Sequence, residues 1–237
     1  MTSSLSGITY KHFETVDSTN ILAREYLEHG TLIVADEQTA GRGRYGNDWV
    51  SPKGNLYMSF VWRVPDLAVA SQYAFVTAVV LSEALKDLCH DDLNLSLKWP
   101  NDIYLDGKKL AGILLETEER DGATYLIIGC GVNLSSSPDY ACNLKSDAQL
   151  DVTAEEMAQM FAVTFRNWNT RLEQEGFDVI RDRWLLEAHG MGQEMKVRLS
   201  GKEFTGIFTG LDHDGGLLLE QADGTVRTVT SGEVFFT

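Results

Sequence analysis

LIVADEQTAGRGRYGNDWVSPKGNLYMSFVW, residues 32–62, predicts two apolar β-strands joined by a loop rich in glycine and arginine. Residues 38–49 are called the glycine-arginine loop here, and its glycines at 41, 43 and 46 let backbone N–H groups turn toward a ligand. Arg42 and Arg44 offer planar guanidinium groups that suit a carboxylate or a phosphate. Trp49 adds a flat apolar surface. The loop is therefore interpreted as an anion-binding segment, with a solvated loop as the alternative.

The glycine spacing also matches two other families of nucleotide-binding loops. Gly41-x-Gly-x-x-Gly46 fits the dinucleotide fingerprint as a string, but that fingerprint requires a helix to begin within the glycines. Pro52 and the β-rich run after it exclude such a helix. A protein-kinase loop does lie between strands, but no His-Arg-Asp or Asp-Phe-Gly follows in this chain. Both interpretations are rejected.

Composition and charge narrow the class of protein. The chain has 237 residues, 43% of them hydrophobic, and a formal net charge of −15. This acidity disfavours binding to a nucleic-acid backbone, so the cationic loop points to one small anionic ligand. No run is long and apolar enough for a membrane span, and the first residues lack the pattern of a signal peptide. We therefore expect a cytoplasmic protein without nucleic-acid or membrane partners.

Cysteine and histidine give no sign of a metal site. Three cysteines without CxxC spacing predict buried free thiols rather than disulfides or zinc ligands: Cys89, Cys130 and Cys142. Five histidines are scattered without ligand spacing: His12, His29, His90, His189 and His213.

The rest of the chain predicts an α+β fold. A helix at 71–88 carries the main apolar stripe, and strands near 9–14, 95–100, 103–105, 110–115 and 123–130 form one large sheet with the strands of the opening stretch. A short helix is expected at 21–27, ending near Gly30, and residues 135–151 are expected to be irregular. Because helices and strands do not alternate regularly, a parallel βαβ architecture is not expected.

The C-terminal part predicts two helices and a small barrel. Thr153-Ala-Glu-Glu156 is a capping box for a helix to about residue 174, and a second helix is expected over 177–188. From residue 194, five short strands alternate with turns at 200–201, 212–216 and 223–224. We expect two domains, a catalytic one at 1–188 and a β-barrel at 189–237.

Lys98-Trp-Pro-Asn-Asp102, followed by residues 107–114, is the second stretch that suggests chemistry. A lysine beside a carboxylate and an amide can neutralise phosphate charge, and Asp102 can hold a magnesium ion. The alternative is a β-hairpin with two solvated lysines at its turn.

Ile127-Ile-Gly-Cys-Gly-Val-Asn-Leu134 is the third stretch. Glycines in a strand indicate close approach of a ligand or a backbone. Asn133 offers a donor and an acceptor, as an adenine edge requires, although for this stretch alone a turn with a backbone-capping asparagine is the better explanation.

Together these stretches resemble the biotin protein ligases over nearly the whole chain. The shared motifs, in order, are Asp-Ser-Thr-Asn at 17–20, Gly-Arg-Gly-Arg-x-Gly-x-x-Trp at 41–49, Lys-Trp-Pro-Asn-Asp at 98–102, Lys-Leu-Ala-Gly-Ile-Leu at 109–114 and Gly-Val-Asn at 131–133. The resemblance implies a mixed or antiparallel sheet with helices, like that of class II aminoacyl-tRNA synthetases and biotin ligases, with an SH3-like C-terminal barrel.

The resemblance also implies roles for individual residues. The residues implied to bind biotin are Ser18, Thr19, Asn20, Gln38, Gly41, Arg42, Lys109 and Gly112. Those implied to bind ATP are Arg44, Trp49, Lys98, Asn101, Asp102 and Asn133. Lys109, Arg42 and Arg44 would serve catalysis, and Asp102 would hold Mg²⁺. Some relatives carry arginine where Asn47 stands, so the role of that position is open.

The implied reaction has two steps. Biotin and Mg-ATP form biotinyl-5'-AMP and pyrophosphate, and a lysine of the biotin carboxyl carrier protein of acetyl-CoA carboxylase then takes the biotinyl group. The glycine-arginine loop would fold over the intermediate and keep water away. With only about 15 residues before Asp17, we expect no N-terminal DNA-binding domain and hence no repressor function.

Two rival functions and the oligomeric state stay open. A lipoate or octanoate ligase or transferase shares the fold, but its Arg-Arg-x-x-Gly-Gly-Gly pattern is absent from this sequence. A non-enzymatic biotin sensor would give Lys109 and Asp102 no purpose. A monomer and a homodimer through a sheet edge both fit the exposed β-runs at 103–130.

Overall fold

The computed structural model describes residues 7–89, 93–199 and 202–236, which contain twelve β-strands, five α-helices and one 3₁₀ turn. Seven strands form one sheet in the order β1-β2-β3-β7-β6-β5-β4. Its strands are β1 (Thr9–Val16), β2 (Thr31–Gln38), β3 (Leu56–Val64), β4 (Leu95–Lys98), β5 (Asp102–Leu105), β6 (Lys108–Arg120) and β7 (Ala123–Val132). Only β1 and β2 pair in parallel, so the sheet is mixed and the fold is α+β, as predicted.

The main core lies between this sheet and three helices. These are α2 (Gln72–Cys89), α4 (Ala154–Glu175) and α5 (Phe177–Leu185). The capping box at the start of α4 forms as predicted, with Glu156 N donating to Thr153 Oγ1 and Thr153 N to the Glu156 carboxylate. Phe60 of β3 meets Phe161 and Phe165 of α4 edge to face, at ring-centroid distances of 6.1 and 5.1 Å. This layer fixes the sheet against the helices.

The opposite face of the sheet is covered only in part. Helix α1 (Thr19–Ala23) lies on it over a small apolar cluster that includes Ala23, Ile33 and Ile127. The prediction of a helix to Gly30 was too long, because α1 ends at Ala23 and single turns follow. The short helix leaves the neighbouring part of the face open, and the site described below lies there.

A second, antiparallel sheet of five strands follows in the order β11-β10-β9-β8-β12. Its strands are β8 (Glu194–Leu199), β9 (Lys202–Leu211), β10 (Leu217–Glu220), β11 (Val226–Val229) and β12 (Glu233–Phe236). It provides the five strands expected for the small barrel. The predicted turn at 200–201 lies outside the described residues.

Two contacts join this unit to the first sheet. Leu97 of β4 exchanges backbone hydrogen bonds with the segment around Ala188, and Trp99 Nε1 donates to Gly215 O over 3.0 Å. Gly215 has φ +88°, and a Cβ there would lie 2.4 Å from the ring of Phe75, so only glycine fits. The division at 188/189 remains a prediction, and the two units are packed together.

Most predicted elements are found, and two helices differ in addition to α1. The glycine-arginine loop joins β2 to β3, and β4 to β7 form the expected meander. Residues 135–151 were predicted to be irregular but contain helix α3 (Leu144–Asp147), which Asn143 caps by accepting from Ser146 N. Helix α5 ends at Leu185, three residues before its predicted end.

Candidate active site

A pocket of about 470 Å³ opens on the exposed face of the first sheet. Every residue that the sequence singled out lines it, except Gly41: Ser18, Thr19, Asn20, Gln38, Arg42, Arg44, Trp49, Lys98, Asn101, Asp102, Lys109, Gly112 and Asn133. Gly41 lies behind the wall, where a Cβ would meet Trp49 O at 2.4 Å. Motifs that are more than 100 residues apart in the sequence, such as those of Ser18 and Asn133, thus share one cavity.

One end of the pocket is polar and buried, and we call it the polar recess. Four residues line it: Ser18, Thr19, Asn20 and Gln38. The first three are each less than 5% exposed. Thr19 N donates to Gln38 Oε1 over 2.9 Å, which fixes the start of α1 against the end of β2.

Hydrogen bonds continue behind the recess into a polar chain of six residues. In order, these are Glu116, Asn20, Ser59, Thr19, Gln38 and Ser51. Ser51 Oγ ends the chain by donating to Trp49 O over 2.8 Å. Buried polar groups that are all hydrogen-bonded hold one geometry. The recess is therefore a prearranged binding surface.

Glycines of β6 and β7 form the floor of the pocket. Gly112 pairs with Gly131 across the two strands, and the indole of Trp49 lies on both. A Cβ at Gly131 would be 2.4 Å from the indole, and one at Gly129 would be 2.3 Å from Asn20 Oδ1. The absence of side chains thus makes room for Trp49 and for the recess.

The arginines of the glycine-arginine loop hold it over the pocket. Arg42 Nη2 pairs with Glu116 Oε2 at 2.8 Å, and Arg44 Nη1 donates to Asn101 Oδ1 over 3.0 Å. Tyr45 has a left-handed backbone with φ 56° and is 62% exposed. The loop is a closed flap with an exposed outer surface, held by side chains that reach strand β6 and the turn between β4 and β5.

Lys109 and Asp102 form the charged centre of the pocket. Lys109 Nζ lies 2.8 Å from Asp102 Oδ1 and 5.3 Å from the centre of the Trp49 ring. The pair is an ion pair without a directed hydrogen bond, because the buried Oδ1 has no aligned donor among the described residues. Trp49 Nε1 is also buried without a partner there. An anionic ligand at this point would meet a cation and an unused donor.

Lys98 lies at the side of the pocket nearest the C-terminal unit. Its Nζ donates to Tyr104 Oη over 2.9 Å, and the Tyr104 ring contacts His189 at 5.0 Å. Ser96 Oγ and His189 Nδ1 are 3.0 Å apart. Burial, and then the charge of Lys98, lower the pKa of His189 below 6.5. His189 is thus favoured in its neutral form at the junction.

Asn133 is largely occupied by the protein itself. Its Nδ2 donates to Cys142 O over 3.0 Å, and the side chain is buried. Asn133 therefore stabilises the loop before α3 as well as lining the pocket.

Several pocket residues were missed in the sequence. Tyr140 belongs to a segment that was predicted to be irregular, and Val234 and Phe235 come from β12 of the C-terminal unit. Nothing in their local sequence indicates a site. Ser59, which lies behind the pocket wall, was detectable because it interrupts the apolar strand β3 with a polar residue that must find a partner.

The described residues contain no group of three or more histidine, cysteine or acidic side chains that could hold a metal ion. In the described part of the chain, no helix is long and apolar enough to cross a membrane. All three cysteines are buried and free, as predicted. Burial raises the pKa of the Cys142 thiol to about 11, which makes it an inert group.

Comparison with known proteins agrees with this geometry. Residues 12–133 match the biotin/lipoate A/B protein ligase family, and residues 190–237 match the biotin protein ligase C-terminal domain. A biotin–[acetyl-CoA-carboxylase] ligase of Paracoccus denitrificans is 36% identical over 93% of this chain and 97% of its own length. The bifunctional ligase/repressor BirA of Escherichia coli K12 is 35% identical over 97% of this chain and 74% of its own length.

A solved structure supports the same assignment at the level of the fold. The biotin protein ligase from Aquifex aeolicus, in complex with biotin and ATP, superposes with a TM-score of 0.84 at 28% identity. The match covers 96% of this chain and 99% of that one. Both the sequence relatives and the architecture place the chain in the biotin protein ligase family.

Proposed function

We propose that the chain is an ATP-dependent ligase that activates biotin as biotinyl-5'-AMP and transfers it to a lysine of the biotin carboxyl carrier protein of acetyl-CoA carboxylase. One observation carries the proposal: a single pocket joins the buried polar recess to the Lys109 and Asp102 pair. A polar ring system fits the recess, and an anhydride between a carboxylate and a phosphate fits the charged centre.

In this proposal the polar recess binds the ureido ring of biotin. A ureido group carries two N–H donors and one carbonyl acceptor, and each needs a partner once it is buried. Hydroxyl, amide and backbone groups of Ser18, Thr19 and Gln38 supply them. Asn20, whose amide is bonded to Glu116 and Ser59, holds them in place. The valeryl chain of biotin then extends past Gly112, where a side chain would obstruct it.

Lys109 and Arg42 take the biotin carboxylate and the α-phosphate. A carboxylate oxygen attacks the α-phosphorus, the bond to the bridging oxygen breaks, and pyrophosphate leaves with the electron pair. Negative charge grows on the phosphoryl oxygens in the transition state, where the Lys109 ammonium stabilises it. The Lys109 side chain exchanges Asp102 for the phosphate.

The adenosine part binds beside Trp49, Lys98, Asn101 and Asn133. Trp49 already lies flat on Gly112 and Gly131, so its outer face offers a stacking surface. In the second step the amine of the carrier lysine attacks the acyl carbon, an amide forms, and AMP leaves. Arg42 and Arg44 keep the flap closed between the steps, which protects the anhydride from water.

Asp102 fits a magnesium ion that is bound mainly by ATP. Mg²⁺ is commonly held by one or two carboxylates together with substrate phosphates and water, and the Asp102 carboxylate has a buried oxygen without an aligned donor. When bound, the ion would neutralise charge on the phosphates. The residues of the chain do the rest of the positioning.

Biotin-dependent exchange of labelled pyrophosphate into ATP tests the proposal, with lipoate as the control substrate. Exchange with biotin alone is expected. Exchange with lipoate alone would assign the lipoate rival, and no exchange with either would assign a sensor. The biotin protein ligase C-terminal match and the absence of the Arg-Arg-x-x-Gly-Gly-Gly pattern support the first outcome.

Partners and location complete the proposal. Incubation with purified carrier protein and labelled biotin should label one carrier lysine. The net charge of −15 supports a ligase without a nucleic-acid partner, and mobility-shift titration with duplex DNA tests this. A cytoplasmic location and a possible homodimer are part of the proposal, and light scattering with and without biotin and ATP measures the second.

A further inference from the structure

We propose that Glu116 is a positioning residue that fixes which groups of the polar recess donate hydrogen bonds and which accept them. Glu116 acts through Asn20 and lies behind the pocket wall. The inference rests on the proposed function, since the recess is taken to bind the ureido ring.

Glu116 collects donors from three parts of the chain. Its carboxylate accepts from Asn20 Nδ2 over 2.9 Å and pairs with Arg42 Nη2 at 2.8 Å and Arg24 Nη2 at 3.3 Å. Its side chain is only 20% exposed. Toward these amide and guanidinium donors a glutamate carboxylate can only accept hydrogen bonds.

This acceptor sets the orientation of the Asn20 amide. Asn20 Nδ2 faces two acceptors, Glu116 Oε2 and Leu114 O, the latter at 3.4 Å, while Oδ1 is 2.5 Å from Ser59 Oγ. The reversed amide would put its oxygen against both acceptors, and Glu116 Oε2 would keep only the Arg42 donor. Gly129 packs against the Asn20 amide on another side, so the amide has no room to move away. The orientation is therefore fixed by Glu116.

The orientation of Asn20 then assigns the protons along the polar chain. Ser59 has one hydroxyl proton, and it goes to Asn20 Oδ1, because that oxygen can only accept. The 2.8 Å contact between Ser59 Oγ and Thr19 Oγ1 must then use the Thr19 proton. Gln38 Oε1 also lies 3.2 Å from Thr19 Oγ1, but it keeps the Thr19 N–H, at 2.9 Å, as its donor.

The result is a hydroxyl with a defined role in the recess. Thr19 Oγ1 gives its proton to Ser59 and therefore presents lone pairs to a ligand. An acceptor is what a ureido N–H requires. Without the charge of Glu116, the long contact to Leu114 O holds the Asn20 amide only weakly in this orientation. Thr19 then presents a donor in the part of the population where the amide is reversed.

Exchanging the amide and the carboxylate tests this assignment. Glu116→Gln keeps the shape and removes the charge, and we expect biotin to bind about ten-fold more weakly or worse, as for loss of a hydrogen bond to a charged group. Asn20→Asp alone places two carboxylates face to face and is expected to lose at least as much. In the double variant Asn20→Asp/Glu116→Gln, the glutamine amide donates to Asp, which still accepts from Ser59. The affinity for biotin should return to within about three-fold of that of the parent, which is a smaller difference than loss of one hydrogen bond would cause.

Glu118→Gln is the matched control. Glu118 lies two residues further along β6, on the same face, and pairs with Arg24 at 3.6 Å. The Glu118→Gln variant should bind biotin with the same affinity as the parent. Calorimetric titration with biotin gives the affinities, and thermal melting confirms that each variant is folded.

The outcomes separate the two proposals. A parent that does not bind biotin contradicts the proposed function. If the parent binds but Glu116→Gln equals Glu118→Gln, or if the double variant stays as weak as Glu116→Gln, the inference is overturned. Should Glu116→Gln not fold, Ser59→Ala interrupts the same chain while leaving Glu116 and its arginines in place. Unchanged biotin affinity in Ser59→Ala would likewise overturn it.

Discussion

The two halves of the pocket are built in different ways. The polar recess is buried, and its side chains bond to one another through Ser59 and Gln38. The glycine-arginine loop is largely exposed and is held by Arg42 and Arg44. A buried, satisfied network costs several kcal/mol to rearrange, whereas a partly exposed ion pair or a single hydrogen bond contributes about 0 to 1.5 kcal/mol.

The contrast teaches how one pocket can serve two steps. In the proposed function, the recess has a fixed shape and selects biotin. The loop opens for ATP and the carrier lysine and closes over the adenylate between them at little energetic cost. The central claim is that the recess determines biotin affinity and the loop determines retention of the intermediate.

The largest effect is expected from removing the cation between the two halves. Lys109→Ala should slow adenylate formation by about 10²- to 10³-fold, the usual loss for a group that stabilises transition-state charge. Transfer from preformed biotinyl-5'-AMP should be much less affected, because that step needs no attack on phosphorus. Rapid-quench assays of each half-reaction measure both rates.

Lys108→Ala is the control for this variant. Lys108 is the exposed neighbour of Lys109 and does not line the pocket, so both rates should match those of the parent. Equal losses in the two half-reactions of Lys109→Ala would contradict the assigned role.

Two glycine variants should separate the halves. Gly129→Ala forces a Cβ into Asn20, and Gly131→Ala forces one into Trp49. We expect Gly129→Ala to weaken biotin binding by about ten-fold, as for loss of one buried hydrogen bond, and to weaken ATP binding less. Gly131→Ala should weaken ATP binding by about ten-fold and biotin binding less. Calorimetry with each ligand serves as a mutual control. The same pattern in both variants would show that the halves are not independent.

The smallest effect is expected at the junction with the C-terminal unit. The pKa of His189 is lower in the folded protein than in the unfolded chain. As the pH falls, His189 therefore takes up a proton in the unfolded chain before it does so in the folded protein. The stability due to neutral His189 is thus present above about pH 6.5 and is lost as the solution becomes more acidic. In His189→Asn, thermal melting should show a smaller fall in Tm between neutral and acidic pH than in the parent.

His213→Asn is the control for this pH dependence, because His213 is 82% exposed in a turn. Its melting curve should follow that of the parent at each pH. A fall in Tm that is the same in all three proteins would assign the acid sensitivity to other groups, such as His29, whose pKa burial also lowers.

Much of this structure was predictable because local signals and global packing agree. The capping box at Thr153, the apolar stripe of α2 and the strands around the glycine-arginine loop all formed close to their expected places. Short helices were the weakest point. Helices α1 and α3 have five and four residues, too few for a periodic pattern, and tertiary contacts decide their bounds.

The site residues that stand in a recognisable motif could be predicted from the sequence, and those outside a motif could not. Lys109 and Gly112 stand in a motif, and the structure places both in the pocket. Phe235 comes from a strand about 100 residues further along the chain than Asn133, the last pocket residue that was predicted. Only the docking of the C-terminal unit brings Phe235 to the pocket. Glu116 carries no motif. Its importance depends on the partners that the sheet register and the loop bring to it.

The most direct test of the central claim is to measure biotin affinity and adenylate retention in the same variant. Arg44→Gly removes the bond to Asn101 that holds the loop and leaves the recess intact. We predict that its biotin Kd stays within about three-fold of that of the parent, a smaller change than loss of one hydrogen bond would cause. Trapped biotinyl-5'-AMP should escape at least about ten-fold faster than from the parent. A Kd that rises as much as the escape rate, or an escape rate equal to that of the parent, would contradict the account.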